Sequence, residues 1–229
     1  MNITQHTLIG DIVAQDYRAS DIFEKYRIDF CCGGKTSLEA ACAEKKLDVS
    51  KVIKELNDLP EHSGGDTLNY SSWPLPLLID YIVSIHHNYL NKNTDIILAY
   101  ARKIAEVHGL KHPEALKIAA IFSKIAEKMK VHLKEEEENF FPAVKKLASN
   151  SADESVTETI REFHKKLLAE HEEIGDAVHA IRALSNDYQV PGDVCNTFAV
   201  TYRKLKEFED DLHKHVHLEN NILFRKILN

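Results

Sequence analysis

Two segments of this chain repeat one spacing, and that spacing calls for helices. His132-x-x-x-Glu136 and His215-x-x-x-Glu219 each set an imidazole and a carboxylate four residues apart. On a helix such residues share a face, one turn apart. With thirteen histidines in the chain, one pair of this kind is weak evidence. The second copy strengthens it, because both are followed by Asn and then by large apolar residues: Asn139-Phe140-Phe141 in one case, Asn220-Asn221-Ile222-Leu223-Phe224 in the other. The remaining sequence can then be read as a scaffold that brings the two segments to one level.

Composition agrees with a helical scaffold. Only 8 glycines and 6 prolines occur in 229 residues, and the apolar share of 44% is enough for a core. The formal net charge of -7, with no basic block, disfavours nucleic-acid binding. No apolar run is long enough to span a bilayer, so no membrane association is expected. The N-terminus has no charged stretch leading into an apolar one, and the four cysteines (Cys31, Cys32, Cys42, Cys195) do not form a secretory disulfide pattern. A cytoplasmic chain with free thiols is expected.

Residues 1–59 read as a small domain of short helices with little core of its own. Ser20 is expected to cap a helix over 21–26. Thr36-Ser37-Leu38-Glu39 reads as a capping box, and Asp48 as the cap of a further helix. Cys31-Cys32-Gly33-Gly34-Lys35 stands just before a helix start. There the helix dipole and Lys35 would favour thiolate, and the glycines would permit positive φ. Residues 60–72, rich in Gly, Ser and Pro, read as a linker.

Residues 73–229 read as four long helices, at about 74–108, 113–148, 154–185 and 196–228. Gly109 ends the first and Pro113 opens the second. Short connections imply an up-down-up-down bundle. In such a bundle, residues equidistant from a turn lie at one level. The midpoints of 87 and 132, of 132 and 171, and of 171 and 215 all fall on independently chosen breaks: 108–113, 150–153 and 191–193. One histidine per helix, His87, His132, His171 and His215, therefore reaches one layer, and Glu136 and Glu219 join them. On helix periodicity alone, His86 competes with His87.

Imidazole and carboxylate donors without thiolate suit iron or manganese, and zinc is admissible. Six ligands exceed the usual set of one zinc. They suit two ions, each with two histidines, both carboxylates bridging, and an oxo or hydroxo bridge completing the pair. His6, His62, His108, His112, His179, His213 and His217 read as solvated or core histidines, and Cys42 and Cys195 as packing residues. Of Glu135–Glu138, only Glu136 is lifted out of a solvated face.

The segment Tyr26-Arg27-Ile28-Asp29-Phe30-Cys31-Cys32-Gly33-Gly34-Lys35 resembles the ScdA-type N-terminal domain. His132-x-x-x-Glu136 with Phe141-Pro142, and His215-x-x-x-Glu219-Asn220-Asn221, resemble the hemerythrin-like domain of the same proteins. Nearly the whole chain is similar to the RIC family (YtfE/ScdA/DnrN) of iron-sulfur cluster repair di-iron proteins. The resemblance implies an all-α fold, with the small N-terminal helical domain followed by a hemerythrin-like four-helix bundle. It also implies two non-haem iron ions held by His87, His132, His171 and His215 with Glu136 and Glu219 bridging, and a preference for His87 over His86. The implied role is repair of clusters damaged by nitrosative or oxidative stress. Cys31 and Cys32 would assist, the partners would be damaged iron-sulfur proteins with nitric oxide or oxygen as small ligands, and a homodimer is left open. A hemerythrin-type oxygen or nitric oxide binder or sensor is the alternative. Arg225 departs from the pattern, since relatives often have proline there.

Overall fold

The computed structural model describes residues 3–59, 69–149 and 153–228. Most of the linker expected at 60–72, and most of the break expected at 150–153, lie outside these residues. The described chain is helical, and its only β pairing is an isolated bridge between Leu8 and Ser37. No described helix is long and apolar enough to cross a membrane. Contacts separate two compact units: Ile79–Leu212, and Met1–Leu78 together with His213–Asn229. That division differs from the expected one at 59 and 73, because the last turns of the chain group with the N-terminal segment.

The long helices stand where the periodicity put them, with one device the sequence did not announce. The first is α5 (Leu75–Tyr81), a π-helical turn (Ile82–His87) and α6 (Asn88–His108). The second is α7 (Pro113–Glu135), a π-helical turn (Glu136–Phe140) and α8 (Phe141–Ala148). The third, α9 (Glu154–Leu184), is unbroken, with Asp153 accepting from the Val156 N–H as its N-cap. The fourth is α10 (Asn196–His217), a π-helical turn (Leu218–Leu223) and α11 (Phe224–Leu228). Pro142, which has no N–H to donate, falls where the π-helical turn gives way to α8.

Within Ile79–Leu212, α6 packs along α7 and α7 along α9. Ile97 and Ala101 of α6, Ile118 and Phe122 of α7, Leu167 and Val178 of α9, and Phe208 and Leu212 of α10 are all buried at helical spacing. The Phe122 and Phe208 rings meet edge-on at 5.1 Å. Gly109 ends α6 for a steric reason, since φ there is an ordinary -58°. A Cβ at this position would stand 2.4 Å from the Ala105 carbonyl oxygen. The turn after α9 begins earlier than expected. Asn186, Asp187 and Tyr188 are all left-handed (φ 50°, 57° and 59°), at roughly 1–2 kcal/mol each. The Tyr188 hydroxyl and Arg182 Nε offset part of this by donating to the buried Glu209 carboxylate at 2.7 and 2.9 Å.

The other unit contains α1 (Ile9–Gln15), α2 (Ala19–Lys25), α3 (Leu38–Glu44), α4 (Val49–Asn57) and the C-terminal turns. Ser20 does not cap α2. It lies inside the helix, and its hydroxyl donates to the Tyr17 carbonyl at 2.6 Å. The turn is instead held by Asp16, which accepts from the Arg18 N–H. The α3 cap is Ser37, accepting from Ala40, so the box from Thr36 to Glu39 does not form. The Glu39 N–H is taken by the Gln5 carbonyl. Asp48 caps α4 as expected. Asn221 ties the unit together by donating to the Phe30 and Cys31 carbonyls, both at 3.1 Å. A Cβ at Gly10 or Gly34 would stand 2.4 or 2.3 Å from the Asn221 side-chain oxygen. Gly33 and Gly34 are not left-handed. Gly34 is needed for close approach, not for positive φ. Arg225 pairs with Asp11 in the same unit, a contact that proline could not make.

Candidate metal centre

In the unit Ile79–Leu212, three imidazoles converge on one carboxylate. His87 ends the π-helical turn Ile82–His87, His132 lies on α7, and His171 on α9. Glu136 opens the π-helical turn after α7 and is fully buried. Its oxygens lie 3.4 Å from His87 Nε2, 3.4 Å from His132 Nε2 and 3.9 Å from His171 Nε2. His132 Nε2 and His171 Nε2 are 3.2 Å apart. All three rings are buried.

The outer nitrogens explain the orientation of two of these rings. His87 Nδ1 is 2.8 Å from Glu137, and His132 Nδ1 is 2.8 Å from Glu170. An imidazole that donates from Nδ1 to a carboxylate presents the lone pair of Nε2, the tautomer that binds a metal. The hydrogen bond from His132, with Lys166 adding its charge, holds the Glu170 carboxyl below its usual range.

These residues fit a cation. A fully buried carboxylate needs a positive partner. Two nitrogens about 2.1 Å from a common ion lie about 3.0 to 3.4 Å apart, from a right-angle to a tetrahedral arrangement, a range that includes the His132–His171 separation of 3.2 Å. Histidine and carboxylate without thiolate form the donor set of iron, manganese or zinc.

The other unit holds His215 and Glu219, both fully buried, with Nε2 3.1 Å from the carboxylate. Helix α10 runs unbroken to His217, so Phe208, Leu212 and His215 follow one another on one helical face, and Glu219 lies in the π-helical turn that follows. His213 and His217 flank that face. His217 accepts from Asn221 at 3.2 Å, and burial pushes its pKa down to about 3.

The structure separates His86 from His87. His86 Nδ1 meets Asp211 at 3.0 Å, whereas His87 faces Glu136. Glu137, Glu170 and Asp211 were missed in the sequence. Glu137 lay inside an acidic run that reads as solvated, and Glu170 directly precedes His171. A signal was available for Glu170, because it lies at the same bundle level as His132.

Cys31 and Cys32 gather around Asp29. One carboxylate oxygen accepts from the Cys31 N–H (2.9 Å), the Cys32 N–H (3.1 Å) and the Cys31 thiol (3.1 Å), and the two sulfurs are 3.9 Å apart. The expectation of a thiolate fails for Cys31. Its hydrogen bond to Cys32, its burial and the Asp29 charge push the thiol well above its ordinary value. The helix expected to stabilise thiolate, α3, is present from Leu38 with Ser37 as its cap, but the turn Gly33–Lys35 stands between it and the cysteines. Cys42 is buried, as expected of a packing residue, but Cys195 is exposed.

Residues 5–60 match ScdA_N, a domain of unknown function, and residues 78–227 match the hemerythrin HHE cation binding domain. The iron-sulfur cluster repair protein ScdA of Staphylococcus haemolyticus is 34% identical over 224 residues, covering 98% of this chain and 99% of that protein. A probable iron-sulfur cluster repair protein of Haemophilus influenzae is 34% identical over 212 residues, 92% of each chain. The iron-sulfur cluster repair protein YtfE of Escherichia coli O81 is 30% identical over 220 residues, 96% of each chain. With an ScdA_N match ahead of a hemerythrin HHE cation-binding domain, the chain belongs to the ScdA/YtfE family of iron-sulfur cluster repair proteins.

Proposed function

We propose that this protein repairs iron-sulfur clusters damaged by nitrosative or oxidative stress, in the cytoplasm, through a non-haem di-iron centre in residues 73–229. The observation that carries this reading is the buried Glu136 ringed by the Nε2 atoms of His87, His132 and His171. His132 and His171 would hold one ion and His87 and His215 the other, with Glu136 and Glu219 shared. The unbroken face of α10 supports the inclusion of His215, which follows Phe208 and Leu212 at helical spacing.

Bound iron would supply a redox-active centre with an open position for nitric oxide or oxygen. The protein's own groups do the rest. Glu137 and Glu170 fix the His87 and His132 rings by accepting from Nδ1. Glu137 also lines a surface cavity of about 270 Å³ with Asp80, Ser84, Phe141 and Lys145. Glu137 and Phe141 of this lining touch the His87 ring, so a small ligand, or an iron ion as cargo, would approach from the His87 side. In residues 1–59, Asp29, Cys31 and Cys32 place a carboxylate oxygen and two sulfurs within 4.8 Å of one another. Iron in transit to a damaged client would meet soft thiol donors there, its charge displacing the thiol protons.

Glu136→Leu and Glu219→Leu are expected to lose iron, read by elemental analysis, and with it the repair of a nitrosylated cluster protein. Unchanged iron in both variants would overturn the centre. Full repair by Cys31→Ala would remove the cysteines from the mechanism. A reversible oxygen adduct with no repair would leave an oxygen binder in place of a repair protein.

A further inference from the structure

At the loop end of the unit Ile79–Leu212, a second reactive group stands apart from the metal ligands. Cys195 is exposed, and its Sγ lies 3.1 Å from His108 Nε2. His108 is the last residue of α6 and Cys195 immediately precedes α10. The Cys195 carbonyl already accepts the Phe198 N–H, closing the first turn of α10. The two ends are electrically complementary. A helix C-terminus favours an imidazolium and a helix N-terminus favours a thiolate. His108 follows His87 by 21 residues along the helix, about 30 Å at the usual rise.

The surroundings keep this pair in place. The His108 ring meets Phe198 edge-on at 5.4 Å and His112 at 6.2 Å. His112, just before α7, meets Glu114 through Nδ1 at 3.1 Å and Asp193 through Nε2 at 3.2 Å. The titratable neighbours are therefore His112 and Glu114 from the start of α7 and Asp193 from the loop before α10, and both acids are engaged by His112. The hydrogen bond to His108, aided by backbone N–H groups at the start of α10, brings the Cys195 thiol down to about 7.

We propose that Cys195 and His108 form a thiolate–imidazolium pair that undergoes thiol–disulfide exchange with a low-molecular-weight disulfide, making Cys195 a site of reversible S-thiolation. The Cys195 thiolate attacks one sulfur of the disulfide. A bond forms between Sγ and that sulfur, and the disulfide's own S–S bond breaks. Its electron pair leaves on the second sulfur, which takes a proton from the His108 imidazolium. Cys195 is oxidised to the mixed disulfide, and the departing half is reduced to a thiol. Of the other cysteines, Cys31 and Cys42 are buried.

The test treats the full-length protein with glutathione disulfide across pH 5.5–9 and follows each cysteine by peptide mass spectrometry. The expected result is an adduct at Cys195 whose rate reaches half its maximum near pH 7. In His108→Gln the midpoint moves toward the ordinary thiol value of about 8.5, and the rate at pH 6.5 falls several-fold. Cys195→Ser should lose the adduct and keep its iron. Iodoacetamide alkylation over the same pH range provides a second reading that does not depend on the size of the disulfide. A wild-type midpoint near 8.5 with both reagents would overturn the proposal. So would a midpoint unmoved by His108→Gln, or alkylation near pH 7 with no glutathione adduct.

Discussion

At the scale of single residues, the candidate site divides into groups that face Glu136 and groups that orient them. The facing groups were legible because His-x-x-x-Glu occurs twice and because helix midpoints pick one histidine per helix. The orienting carboxylates were not, since a glutamate beside a metal-binding histidine looks like any solvated glutamate until the partner helix is placed. Glu137→Ala and Glu170→Ala are each expected to weaken iron binding by about 10- to 100-fold while leaving the fold intact. Competition against a chelator of known affinity would measure this, and unaltered affinity in both would reduce the two carboxylates to surface charges. His86 and His87 could not be separated from sequence because both are buried and the π-helical turn ending at His87 shifts the phase counted from a 3.6-residue period. The thiolate expected at Cys31 failed for a related reason. Burial is a tertiary fact that no local motif carries, whereas the Asp29 carboxylate is a local one, two residues before Cys31.

At the scale of elements, apolar periodicity and end signals placed the four long helices within a few residues. Proline at 113, the break at Gly109 and the Asp48 cap all hold. The caps that failed, Ser20 and the box from Thr36, did so because serine and threonine side chains choose among several nearby backbone partners. Ser37→Ala should cost about 1 kcal/mol by removing the α3 cap. Phe122→Ala should cost about 3–5 kcal/mol, since it empties the ring contact with Phe208 from a packed core. Urea denaturation of both variants checks the order, and a larger loss at Ser37 would contradict the packing described here. The three π-helical turns were invisible to periodicity, yet they contain or adjoin His87, Glu136 and Glu219. Such turns are costlier than a regular helix and recur at functional sites.

At the scale of the whole molecule, the sequence shows a small N-terminal piece with little core of its own, and it does not say which other residues group with it. The unit containing Met1–Leu78 also takes in His213–Asn229, and Asn221 supplies hydrogen bonds that hold the Phe30–Cys31 backbone. Asn221→Ala should destabilise this unit by about 1–3 kcal/mol, because two buried carbonyls lose their donor. Gly34→Ala should do the same by displacing Asn221. Hydrogen exchange at residues 28–38 reads both, and unchanged protection would show that the clasp is dispensable. A fragment of residues 1–78 is expected to give a largely unfolded circular dichroism spectrum.

That union of the two chain ends has a consequence for biosynthesis. At about 5–20 residues per second, a ribosome needs roughly 10–45 s to make the whole chain. Residues 79–212 emerge with their own core and can begin to fold during synthesis. The cysteine-bearing segment precedes residues 213–228 in the chain and must wait for them to leave the exit tunnel. Cys31 is therefore unburied through most of translation, which makes the nascent chain, more than the finished protein, the form in which its thiol is open to oxidants and stray metal.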